Sequence, residues 1–130
     1  MTVPCNTGFS ELAKFGAGEA ADVFKYTAVG KGTGQGAANT KLSSECDETG
    51  MTRVASDTTQ TVKTTVDNDT IQNIEKFTAG EAVHVKEAGV FNNATIDLGD
   101  MLQVGDLSPS ADMAKDDTLT ITQNTQLKAA

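Results

Sequence analysis

Near its middle the chain carries two alternating runs joined by a short polar turn, and few folds accommodate that arrangement. Residues 51–66, MTRVASDTTQTVKTTV, set Val62, Thr64 and Val66 against Lys63 and Thr65. Asp67-Asn68-Asp69 follows, and such side chains favour turns because they bond to nearby backbone. Residues 70–78, TIQNIEKFT, resume the alternation. A period of two in β-branched residues predicts strands, and two strands about a tight turn predict a hairpin. A lone hairpin is marginal in water, so the remaining chain must supply further strands.

The flanking sequence does so. Residues 22–29, DVFKYTAV, set Val23, Lys25, Thr27 and Val29 against Phe24, Tyr26 and Ala28. Residues 82–91, AVHVKEAGVF, read as a strand with a bulge or bend at Gly89. Met101 to Val104 reads as a short strand, 106–117 as a polar crossover through Pro109, and 118–127 as the last strand. Strands and turns at this spacing predict an all-β fold, an antiparallel β-sandwich of jelly-roll or Ig-like Greek key type. The long crossover suits a Greek key better than a meander. The one helical pattern is 9–20, FSELAKFGAGEA, where Phe9, Leu12, Ala13 and Phe15 share a face. Ser10 with Glu11, or Thr7, would cap it. Gly16 and Gly18 should hold it to about two turns. The expected organisation is an N-terminal arm and short helix over 1–20, then a single β-sandwich domain over 21–130.

The core of such a domain is thin: 38% of residues are apolar, 5% aromatic, and Trp is absent. Thr is the commonest residue, which suits strands and a chain that packs against copies of itself. The net charge of −8, with the Lys and Arg scattered, predicts no nucleic-acid partner and no anionic membrane surface. The acidity is first a solubility device; a saline setting or a basic face on a partner would also suit it. The start shows neither a basic leader nor a long apolar run, and no window reaches the length of a membrane span.

Chemistry-bearing residues are sparse. His84 is the single histidine and sits between Val83 and Val85 on an expected strand, a poor setting for a catalytic base. Asp47-Glu48, Asp97 with Asp100, and Asp116-Asp117 fall in expected turns, where carboxylates cap backbone or face water. An EF-hand begun at Asp67 would need Gly and Glu where Gln72 and Thr78 stand. The glycines of GKGTGQGAANTK, residues 30–41, match neither phosphate-loop pattern, and the segment reads as a flexible surface loop. No catalytic residue, cofactor site or metal site is expected, so the chain reads as a non-enzyme. Cys5 and Cys46 are two reduced thiols if assembly is cytoplasmic. If bridged, they would close a loop of about forty residues and contribute roughly 3–4 kcal/mol. Asn68 and Asn93 head N-glycosylation triplets of a kind that arises by chance in Thr-rich chains.

One ordered set of short motifs goes further. Ala28-Val29-Gly30-Lys31-Gly32 ends a strand, and Thr40-Lys41-Leu42-Ser43-Ser44-Glu45 follows. Arg53, Asn68-Asp69-Thr70-Ile71-Gln72, Glu87-Ala88-Gly89-Val90-Phe91-Asn92, Met101-Leu102 and Asp116-Asp117-Thr118-Leu119-Thr120-Ile121 complete the series. In this order they resemble a group of small structural proteins of tailed bacterial and archaeal viruses, over about residues 20–123. Asp116 stands where that group commonly has Gly, and the run before Met101 is shortened. The resemblance implies a virion component, with a capsid decoration (cement) protein on the outside of an HK97-type shell as the first expectation. Its partners would be the major capsid protein and copies of itself in a trimer or other ring. A tail, collar or fibre component, with other tail or head proteins as partners, is the alternative. A small carbohydrate-binding sandwich is a second alternative, weakened by a single Tyr and no Trp. The arm and the 30–41 loop are expected contact elements, through Val3, Phe9, Lys31, Gln35 and Asn39, and the acidic faces and the strand edges at 51–66 and 118–127 would meet capsid protein or sister copies.

Overall fold

The computed structural model describes residues 2–19, 22–34 and 36–128. Among them are eight strands and one helix: β1 (Thr2–Pro4), α1 (Asn6–Gly16), β2 (Tyr26–Gly30), β3 (Val54–Ala55), β4 (Thr58–Val62), β5 (Thr70–Thr78), β6 (Val83–Phe91), β7 (Met101–Met113) and β8 (Thr118–Gln126). They form two antiparallel sheets, one in the order β1-β7-β6-β2-β3 and one in the order β4-β5-β8. The fold is the all-β sandwich with a short N-terminal helix that the alternation predicts.

The central hairpin closes, with Thr58 opposite Ile74 and Val62 opposite Thr70, but β4 ends at Val62, so the alternating residues Lys63 to Val66 belong to the turn and not to the strand. The long run before it divides in two. Val54–Ala55 pairs with β2, whereas Thr58–Val62 pairs with β5, so the chain crosses between sheets at Ser56-Asp57. β2 also starts later than its alternation suggests, at Tyr26.

The polar stretch expected as a crossover is strand for most of its length, because β7 runs on to Met113. Between Val85↔Ala111 and Glu87↔Asp106, β6 advances two residues while β7 advances five. The surplus, Leu107 to Ser110, leaves the ladder there. Pro109, which has no N–H to donate, is tolerated in a strand for that reason. The irregularities of β6 flank Gly89 instead of falling on it.

Helix α1 begins earlier than expected and has 11 residues, about three turns. Its cap is Cys5, whose side chain makes no capping bond. The start is fixed from outside: Cys5 N–H donates to the Leu102 carbonyl and Asn6 N–H to that of Ala37, each at 2.9 Å. The end is the expected one, at Gly16, with Gly18 in the left-handed region at φ 78°. Gly8 is the buried residue that meets β7, and a Cβ there would collide with the backbone of Met101 and Leu102.

The main core lies between the sheets, where Val29, Met51, Phe77, Val83, Val85 and Met113 pack with Cys46 and Ile121. A second cluster joins Leu42, Phe91, Met101 and Val104 with Cys5 and Ala28, and a third sets Phe24, Val90 and Leu102 against Leu12 of the helix. Gly8→Ala tests the helix contact. Overpacking at this point should lower unfolding stability by about 1–3 kcal/mol in urea titration, with the strand signal in circular dichroism retained.

Candidate functional site

Several of the short motifs quoted above meet at one buried polar centre, whereas Asn68–Gln72 and Asp116–Ile121 lie apart from it, at the β4–β5 turn and the start of β8. Arg53 Nε donates to Glu45 Oε2 at 2.9 Å and Nη2 to Glu45 Oε1 at 2.6 Å. Nη1 donates to the carbonyls of Asn93 (3.0 Å) and Leu98 (2.6 Å). The guanidinium lies 3.7 Å from the Phe91 ring centroid. The two side chains are 0% and 1% exposed. Buried charge on this scale is tolerated only when paired and hydrogen-bonded, and a planar fork that stacks on a ring suits arginine, not lysine. The centre ties the segment before β3 to the 92–100 turn.

A second carboxylate lies nearby. Glu87 of β6 is fully buried and accepts the backbone N–H groups of Gly32 (2.6 Å), Ser43 (2.9 Å) and Ser44 (3.3 Å). Further ties come from Gly34 N–H to Asp106 Oδ2 and from the Ala37 carbonyl to the helix start. The stretch read as a free surface loop is therefore bonded to the sandwich at several points. It reads as loose because glycine-rich sequence gives no sign of a distant carboxylate.

Two glutamines brace the sheets. With the side-chain amides oriented to satisfy both ends, Gln103 of β7 donates to the Asn124 carbonyl (3.2 Å) and accepts from its N–H (3.3 Å). Gln123 of β8 does the same to Gly89 of β6, at 3.2 and 3.3 Å. Each amide takes the place of a neighbouring strand's backbone. A smaller network joins Thr27 Oγ1, Ser56 Oγ, Asn73 Oδ1 and Thr59 Oγ1.

The expected contact residues do not form one patch. Val3 lies in β1, paired opposite Val104. Phe9 is 38% exposed on α1. Lys31 pairs with Glu48 at 3.0 Å, and that bond and charge raise its pKa. Asn39 is exposed, its Oδ1 accepting the Gly36 N–H. Gln35 lies outside the described residues. Cys5 and Cys46 belong to different packing clusters, and each is a buried thiol, so the bridge allowed for above is not formed. Burial pushes the Cys5 thiol up to about 11 and, with nearby Glu48, that of Cys46 up to about 12. Asn68 and Asn93 are exposed in turns, but the Thr70 of the first triplet is buried.

The sequence reading expected contact at the strand edges of 51–66 and 118–127, which contain β4 and β8, the two edges of the three-stranded sheet, but it did not single out the outer face between them. Opposite the buried Asn73, Glu75, Ile121 and Gln123, the alternation turns Thr58, Gln60 and Val62 outward on β4, Gln72, Ile74 and Lys76 on β5, and Thr120, Thr122 and Asn124 on β8. Lys76 is the one charge among these positions, in a chain of net charge −8. An amide ladder crosses the face: Gln60 Nε2 donates to Gln72 Oε1 (2.8 Å), and Gln72 Nε2 to Asn124 Oδ1 (3.1 Å). Depletion of charge of this kind marks the middle of protein–protein interfaces. Alternation in 58–62, 70–78 and 118–126 carried the signal, but which parity faces out becomes visible only with the core in place. Exposed apolar side chains add contact surface elsewhere. Phe15 and Val23 flank a cleft of about 170 Å³ floored by Phe24 and Ile71, and Val66 and Leu127 flank another of about 400 Å³.

Catalytic groupings are thin on this surface. His84 Nε2 and Ser110 Oγ are 2.7 Å apart, an exposed pair beside the irregularity between β6 and β7. Among the described residues, no three His, Cys, Asp or Glu side chains gather as a metal site, and no helix is long and apolar enough to cross a membrane. No protein-family model matches the chain, and neither the curated proteins nor the solved structures compared with it gave a match.

Three measurements test this description. Arg53→Ala leaves Glu45 buried without its cation and should cost about 3–5 kcal/mol in denaturant unfolding. A thiol reagent at pH 8 should label neither cysteine in the native protein and both after unfolding, because thiolates are the reactive species. Asp69 accepts the N–H groups of Thr64, Thr65 and Val66, and the Thr64 bond above all holds its carboxyl well below the usual range. A depressed folded-state pKa gives stability that is full above the ordinary carboxylate value of about 3.9 and fades as pH falls below it. Asp69→Asn should therefore lower Tm at pH 7, with the difference from wild type shrinking below about pH 4.

Proposed function

We propose that this protein is a structural part of a virus particle, a capsid decoration protein that binds the outside of an HK97-type shell and stabilises it. One observation carries the reading. The motifs that resemble the viral group are scattered along the sequence, yet Leu42, Glu45, Arg53, Glu87, Gly89, Phe91 and Met101 meet in one region of the fold. Arg53 is bonded to Glu45 and stacked on Phe91, and a Cβ on Gly89 would touch Phe91, Leu42 and Met101. Unrelated matches to short motifs would have no reason to converge. The shared pattern is then the signature of a scaffold, and function rests on the surfaces the scaffold displays.

Those surfaces suit a contact protein. A Thr and amide face with Lys76 as its one charge, exposed apolar side chains and loops bonded in place favour rigid docking, since little ordering is lost on binding. The mechanism is mass action: a component that binds the assembled shell, and not its dissociated subunits, raises the free energy of disassembly.

The test is copy number and position in purified particles, by particle imaging and quantification against the major capsid protein. A regular array on the shell, in fixed ratio to capsid subunits, is the expected result. A few copies confined to the tail would replace decoration with a tail role, and absence from particles would overturn the virion reading. Shells lacking the protein should also dissociate at a lower temperature, with the loss restored by adding it back.

A further inference from the structure

Three of the four sheet edges are guarded. β1 and β3 are only three and two residues long, and short edges offer little to pair with. β8 has the Gln103 amide on the backbone of Asn124. β4 carries none of the usual guards. Its sequence, Thr58-Thr59-Gln60-Thr61-Val62, has no charge, proline or glycine, and it pairs with β5 without a bulge. Thr59, Gln60 and Thr61 are exposed. Alternate residues of an antiparallel edge turn their N–H and C=O away from the sheet, ready for another strand.

We propose that β4 is where two copies of this chain join, antiparallel and edge to edge, into one continuous sheet with three strands from each copy. The sequence itself selects the occupant. With a two-fold axis at Gln60, Thr58 faces Val62 of the second copy, Thr59 faces Thr61, and Gln60 faces its own counterpart. One step beyond the strand, Asp57 faces Lys63 at both ends. A slip of one residue either way loses both charge pairs. Both side chains can take part: Asp57 is exposed, with Oδ2 accepting the Lys76 N–H at 3.2 Å and Oδ1 left for the second copy, and the 3.8 Å contact of Lys63 with Asp67 is between side chains 64% and 88% exposed, so it exchanges readily.

The amide ladder extends across the same axis. Gln60 gives one N–H to Gln72, which leaves a second N–H and a carbonyl oxygen for the Gln60 of the second copy. A chain of net charge −8 repels its copies at most approaches. Here the adjoining face holds no carboxylate among the outward positions named above, and the flanking charges attract. Isologous pairing of this kind closes at two copies, so a larger ring would need a second contact. The contact stands independently of any shell and is read on the isolated protein.

Sedimentation of the full chain at low salt, from about 1 μM to about 1 mM, should show a reversible monomer–dimer equilibrium. Gln60→Lys places two cations opposite each other and should weaken dimerisation about tenfold or more. Asp57→Lys and Lys63→Asp should each weaken it. An equimolar mixture of those two variants should recover it, since every facing pair in the mixed dimer again carries opposite charge. Circular dichroism and Tm confirm that each variant is folded. Monomer throughout the range, an oligomer indifferent to all three substitutions, or a mixture no tighter than the single variants would each overturn the pairing.

Discussion

The fold hangs on two carboxylates that have no access to water. Glu45 faces a single guanidinium, and Glu87 faces three backbone amides. Between them they tie down the long 31–53 connection and the 92–100 turn. Such segments cost conformational entropy to order, and a thin apolar core cannot supply much to offset it. Charge-assisted hydrogen bonds in a dry setting fix them instead. The arrangement is unforgiving, because either carboxylate left without its donors would carry its full desolvation cost.

The two glutamine braces extend the same logic. Ordinary sandwiches hold their sheets together with interdigitating apolar side chains. Here part of that interface is polar, and Gln103 and Gln123 each satisfy both backbone groups of a residue on the facing sheet. A buried amide with both ends matched specifies one register, since a shift by a single residue would leave all four groups unpaired. The scarcity of aromatics is thus compensated by geometry more than by area.

That geometry explains what could and could not be read from the chain. The hairpin was legible in outline because the alternation of 70–78 and the Asp67-Asn68-Asp69 turn are both local, but its first arm stops at Val62, short of the alternation that continues to Val66. The end of α1 was legible because Gly16 and Gly18 act locally. Its start was not, since Cys5 and Asn6 are fixed by Leu102 and Ala37. The length of β7 was hidden by Ser108-Pro109-Ser110, which reads as loop until the surplus against β6 is seen. Nothing local marked Arg53 and Glu87 as buried, because the Phe91 ring, the carbonyls of Asn93 and Leu98 and the N–H groups of Gly32, Ser43 and Ser44 are remote in sequence. The thiols illustrate the limit from the other side: counting two cysteines left a bridge open, and only the packing separates them.

Stapled loops bear directly on how such a protein can act. A loop that must order on binding spends part of the interaction on that ordering, whereas one already held does not. Arg53 sits between the segment leading into β3 and the 92–100 turn, so those surfaces are presented as one rigid unit. The open edge of β4 is of the same character, a straight strand backed by a complete ladder to β5. Loops held in place and the bare β4 edge fit the contact role proposed above, which would use preformed surfaces. The chemistry of those surfaces is that of hydroxyls, amides and isolated apolar groups, which favours extended, complementary protein faces over a small ligand enclosed in a pocket.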